Sequence, residues 1–120
     1  MQRTFLLAGA VAGFIAVAFG AFGAHGLRGR LSPEMLTVFE TGVRYHMYHA
    51  LALLIVAALA GRADSRAVVA AGWLFVTGIA LFSGSLYLLA LTGVTTLGAI
   101  TPIGGVAFLA GWVCLAVSAL

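Results

Sequence analysis

The chain has 120 residues, of which 63% are hydrophobic and 8% charged, with 16 Gly and no Lys. Soluble domains run about 45–50% apolar and about 25% charged, and disordered chains are poor in apolar residues, so both classes are excluded. Six Arg and three acids give a formal charge of +3. The Arg are scattered singly, which excludes the dense basic patch of a nucleic-acid surface.

One helical crossing of a hydrocarbon core about 30 Å thick needs about 20 residues. The chain therefore holds three or four spans and no soluble domain. Residues 4–24 form an uncharged run of 21 positions, longer than the signal-peptide core of roughly 7–15, so a retained span is expected rather than a cleaved leader. Within it Gly9, Gly13, Ala16, Gly20 and Gly23 recur at intervals of four, three, four and three. Such a seam of small side chains lets helix backbones approach closely, and this is how helices associate in lipid.

Residues 25–32 read as a loop with two Gly and two Arg. Ser32-Pro33-Glu34 then signals a helix start, with Ser as cap, Pro in the first turn and Glu favourable to the helix dipole. The opening of this helix is amphipathic: Met35, Leu36, Phe39 and Val43 share one face, and Glu34, Thr37, Glu40, Thr41 and Arg44 the other. The uncharged run from Tyr45 to Gly61 is only 17 residues. With His46 and His49 outside the membrane, 12 residues would remain, or about 18 Å, which does not cross. The second span must therefore carry His46, Tyr48 and His49 to headgroup depth or below.

Gly61 to Arg66 is a short polar turn, and no charge follows over the 54 residues from Ala67 to Leu120. That stretch fits two spans, about 67–91 and 102–119. Between them Thr92 to Pro102 reads as an uncharged loop or re-entrant turn, with Thr101-Pro102 capping and starting the last helix. The last span repeats the small seam at Gly104, Ala107, Gly111, Cys114 and Ser118. Matching seams predict that spans one and four pack together, or that each packs on a neighbouring subunit. Cys114 is the sole cysteine, so no internal disulfide forms.

The candidate site is a polar intramembrane cluster of Glu40, Arg44, Tyr45, His46, Tyr48 and His49, with His25 across the loop and the hydroxyls of Ser83 and Ser85 in span three. Glu40 precedes Arg44 by four residues, the favourable order for a helical ion pair, and His46 and His49 share a helix face. Ionisable groups at membrane depth point to function, whereas interfacial Tyr, Arg and His also serve as plain anchors at the headgroups. The serines either line a polar pathway or bond a neighbouring helix. No catalytic residue, metal or cofactor is expected, because a pair of His falls short of the three or four ligands of a stable zinc site.

Four blocks bear a resemblance. Gly20 to Leu27, Thr41-Gly42-Val43 with Tyr45 and Tyr48 to Ala52, Phe82 to Tyr87, and Thr101 to Gly105 look like the signature blocks of the YgdD/YwdK-type family. Its members are small multi-pass membrane proteins of uncharacterised function. The resemblance spans nearly the whole chain and implies an inner-membrane or plasma-membrane protein of about four helices. It implies no activity and transfers no site residue.

The expected fold is all-α: an integral membrane four-helix bundle in a single domain, with spans at about 4–24, 44–61, 67–91 and 102–119. A short amphipathic helical segment leads into the second span. The expected role is structural or accessory, through lipid, a homo-oligomer or a membrane-protein partner, with no nucleic acid. The alternative is a small channel or transporter using the Glu/Arg/His cluster and a water-accessible cavity between spans two and three. Arg3, Arg62 and Arg66 share one side and Arg28, Arg30 and Arg44 the other; this near balance leans to both termini in the cytoplasm.

Overall fold

The computed structural model describes residues 1–120. Its elements are α1 (Gln2–His25), α2 (Pro33–Ala60), α3 (Arg66–Gly78), a π-helical turn (Ile79–Ser83), α4 (Gly84–Thr92), a 3₁₀ turn (Thr95–Ala99) and α5 (Thr101–Ser118). Four helical stretches are long and apolar enough to cross a membrane: α1, α2, the continuous Arg66–Thr92 rod, and α5 with its leading turn. The bundle measures 48 × 26 × 17 Å, so its long axis exceeds the roughly 30 Å of a hydrocarbon core.

The helix ends follow the local chemistry. The Ser32 hydroxyl accepts the Met35 N–H at 3.2 Å with Pro33 behind it, and Ser65 accepts the Val68 N–H at 3.4 Å. Gly93, at φ 73°, ends α4 in the left-handed conformation that a side chain disfavours. The amphipathic residues after Ser32 are the opening turns of α2 itself, which runs 28 residues without a break.

The small seams do not join spans one and four. In α1, an added Cβ at Gly9 would meet Leu53 and Leu54, one at Gly20 would meet Val43, and one at Gly23 would meet Phe39, all on α2. In α5, a Cβ at Gly104 would fall on the Phe82 backbone, and one at Gly111 on the Phe75 ring, both in span three. Each seam is thus used against a helix adjacent in the chain, α1 against α2 and α5 against span three. The two seams fold two hairpins, and α2 and span three press together between them. Helices two and three accordingly hold most of the buried residues.

One end of the bundle is filled by Phe5, Leu53, Val56, Val68, Phe75 and Phe108, all buried. A smaller apolar group of Leu27, Phe39, Tyr87 and Ala90 closes the other end. Packing also fixes depth. Ala50 lies opposite Gly13, midway along the uncharged residues 4–24 of α1, so His49 sits within a residue or two of the bilayer midplane.

The π turn was not foreseen in an otherwise uninterrupted span. Such turns insert one extra residue and re-aim the side chains that follow. Here it lies between Gly78, whose missing side chain admits the Phe108 ring, and Gly84. It brings the Phe82 backbone against Gly104 and turns Ser83 towards α2.

Candidate functional site

Two structures emerge around the second span: an internal polar network and a groove open to the side. In the network, Ser83 donates to the Gly42 carbonyl at 2.7 Å, and His46 Nδ1 meets the Tyr87 hydroxyl at 2.8 Å. Gly42 makes both contacts possible, since a Cβ there would sit 2.9 Å from the Tyr87 ring. A phenol hydroxyl can donate or accept, so the bond to Tyr87 is satisfied by either imidazole tautomer of His46.

His49 is fixed more tightly. The Trp112 indole N–H, which is donor only, points at His49 Nε2 at 3.1 Å. Nε2 is therefore unprotonated, and Nδ1 carries the proton and donates it to the Tyr45 carbonyl at 2.7 Å. The ring also stacks on Phe108 with centroids 3.6 Å apart and planes 7° from parallel. With both nitrogens engaged, His49 has none free for a metal or a travelling proton.

Ser85 and Thr101 share a hydrogen bond of 2.6 Å between α4 and α5. Thr101 does not cap its own helix, contrary to the expectation from Thr101-Pro102. The Ser85 hydroxyl already donates to the Phe82 carbonyl at 2.9 Å, so Thr101 donates to Ser85 and its hydroxyl is spent on span three rather than on its own helix. No buried side-chain nitrogen or oxygen lacks a partner, and no group of three or more His, Cys, Asp or Glu gathers around a metal position.

The structure thus divides the sequence-defined cluster. His46 and Ser83 join the interior network, His49 and Tyr45 line the groove, and Ser85 clips α4 to α5. Glu40, Arg44 and Tyr48 are exposed on the outer face of α2, and Glu40 and Arg44 form no ion pair with each other. His25 ends α1, exposed and apart from the rest. Tyr87 and Trp112, the partners that fix the imidazoles, were not singled out from sequence. The available signal was their type, since a Tyr hydroxyl or Trp N–H buried in an apolar span must find a partner.

The cavity does not lie between spans two and three, where Tyr87 against Gly42 closes the gap. It lies between α2 and α5, has a volume of about 380 Å³, and opens sideways. Its floor is His49, Phe82 and Phe108; Tyr45 forms one wall, and Pro102, Gly105, Val106, Leu109 and Trp112 the other. Val106 and Leu109 are 64% and 68% exposed, which identifies the mouth as the lipid-facing surface of the bundle. From Pro102 to Trp112 is ten residues, about 15 Å along the helix, or half a hydrocarbon core.

Residues 19–105 match a family described as a protein of unknown function, DUF423. The chain belongs to that family. The UPF0382 membrane protein YwdK of Bacillus subtilis is 51% identical over 120 residues, covering 99% of this chain and 98% of its own length. The UPF0382 membrane protein SH2409 of Staphylococcus haemolyticus is 50% identical over 117 residues, covering 98% of this chain and 95% of its own. No solved structure matches the chain. With four apolar helices and UPF0382 relatives named as membrane proteins, the chain is an integral, multi-pass, all-α membrane protein.

Proposed function

We propose that this DUF423 protein acts by binding rather than by chemistry, holding the acyl chain of a membrane lipid in the lateral groove between α2 and α5. The observation that carries this reading is the cavity itself: about 380 Å³, aromatic and aliphatic in lining, and open on the lipid-facing side. That volume falls within the roughly 300–1,000 Å³ range of small-ligand sites. Its length argues for a lipid over a partner helix. A crossing helix needs about 30 Å of contact, whereas the groove runs about 15 Å, the depth of one leaflet's chains. The interior favours no pathway, since the polar atoms there satisfy one another and an apolar cluster fills the end beyond them.

The same reading sets the protein in the bacterial cell membrane with both termini in the cytoplasm. Gln2 lies against Gly61, so Arg3 shares an end with Arg62 and Arg66. Arg44 lies within the depth of the bundle rather than in a loop. Counting loop and terminal Arg alone leaves Arg3, Arg62 and Arg66 against Arg28 and Arg30, an excess that favours the cytoplasm for the terminal side.

Native mass spectrometry from lipid nanodiscs tests the lipid reading with the groove-filling Gly105→Leu. A side chain at Gly105 starts in ordinary contact, its Cβ 3.8 Å from Phe82, and extends into the cavity. The parent is expected to retain one lipid that the variant loses at unchanged helicity. Equal retention by both, or none by either, refutes the reading. Cysteine labelling at Arg28 and Arg62 from opposite sides of the membrane tests the orientation.

A further inference from the structure

We infer that the lipid held in the groove is a zwitterionic phospholipid carrying a primary amine, recognised at its headgroup by Arg44 and Glu40; this rests on the lipid-binding reading above. The two charges are exposed on the outer face of α2 and unpaired with each other. Phe39 packs on Gly23, near the end of the uncharged stretch of α1, and Arg44 lies five residues deeper, about 7.5 Å. Helical side chains lean towards the N-terminus, which on α2 is the direction of the nearer membrane surface. The Arg44 stem therefore rises through the outermost hydrocarbon and delivers its guanidinium to the depth of lipid phosphates.

Glu40 stands one turn closer to water, about 6 Å along the same helix. The order of charges from the bilayer outwards is thus positive, then negative. A phospholipid whose phosphate lies deep and whose ammonium lies outermost presents the opposite order, and the two match charge for charge. A purely anionic head would meet the Glu40 carboxylate, and a trimethylated amine has no N–H to donate to it. The stripe is continuous with the groove. Tyr48 lies one turn below Arg44, its ring is 5.6 Å from Tyr45, and Tyr45 forms the cavity wall.

The test is native mass spectrometry of the full chain from nanodiscs holding equal parts phosphatidylethanolamine, phosphatidylcholine and phosphatidylglycerol of one chain length. The parent is expected to retain the ethanolamine lipid about five-fold above its share, the preference that one well-placed charge gives at a membrane surface. Glu40→Gln should pass the preference to phosphatidylglycerol, Arg44→Gln should remove it while lipid is still retained, and Arg44→Lys should keep it. A parent that retains the three lipids in proportion to supply, or a Glu40→Gln that leaves the ethanolamine preference intact, overturns the inference while the groove reading stands. Retention of no lipid at all overturns both.

Discussion

The bond between Trp112 and His49 joins the second and fourth spans at the bilayer midplane, and its strength can be worked out from its surroundings. Trp112→Phe keeps an aromatic ring but removes the N–H, leaving Nε2 of His49, a residue only 4% exposed, without its donor. An orphaned buried group costs about 1–3 kcal/mol in proteins generally, but measured interhelical bonds in a membrane average about 0.6 and reach about 1.7. Midway through the bilayer there is no water to take over, so the upper half of the membrane range applies, about 1–2 kcal/mol. His49→Phe orphans the Trp112 N–H at similar cost, while the Tyr45 carbonyl keeps its helical partner. The double variant removes donor and acceptor together and is expected to lose about 1–2 kcal/mol less than the sum of the single variants. Unfolding in mixed detergent and dodecyl sulfate, followed by far-ultraviolet circular dichroism, measures the cycle. Losses that add to within about 0.3 kcal/mol would refute the bond and the tautomer derived from it. Nitrogen-15 spectra give an independent check, since Nδ1 of His49 must carry the proton.

Gly104→Leu sets a side chain against the Phe82 backbone, which cannot rotate away, and should cost at least about 1–3 kcal/mol in the same unfolding assay; Gly84→Ala, with nothing within 4 Å, should leave stability unchanged or raise it. Tyr87→Phe leaves His46 Nδ1 without its partner and should destabilise by about 1–2 kcal/mol, while Ser83→Ala, which frees only a carbonyl already bonded within its helix, should cost about half as much. A spin label at Phe14 or Ile55 should report a fully apolar environment inaccessible to aqueous relaxants, whereas one at Arg28 should be accessible; equal accessibility would overturn the depth assignment.

Much of the fold was legible because the membrane reduces the problem to length and polarity. The four crossings and the need to draw His46 and His49 inward follow from counting uncharged residues, and the cap at Ser32 from the Ser-Pro-Glu sequence itself. The partners of the small seams were not legible. A row of Gly9, Gly13, Gly20 and Gly23 states that a helix is approached closely, but not by which one. That choice depends on what the opposing face offers: α2 presents Phe39 and Val43 to the gaps of α1, and span three presents Phe75 and Phe82 to those of α5. The π turn was hidden for a similar reason, because it answers to the Phe108 ring and the Gly104 backbone of another helix. The site suffered most. Residues four apart on α2 read as one cluster, yet Glu40, Arg44 and Tyr48 face outward while His46 and His49 face inward, since only the latter meet Tyr87 and Trp112.

The groove follows from the same packing that spends the seams. Gly104 and Gly111 turn the close-approach face of α5 towards span three, where Phe82 and Phe75 fill their gaps. The adjoining face, with Gly105, Val106 and Leu109, is left towards α2 without bulk to fill the space. On the α2 side His49 lies flat on Phe108, and its bond to Trp112 sets the separation of the helices at that level. Below it the apolar cluster closes the bundle; above it Tyr45 and Phe82, their rings 4.9 Å apart, wall and floor the cavity instead of sealing it. A void of this size facing a bilayer is filled by whatever the bilayer supplies. On the proposed lipid reading, His49 is part of the groove's floor, so replacing it with Ala should enlarge the groove at that level and change which acyl chains are retained, read by native mass spectrometry.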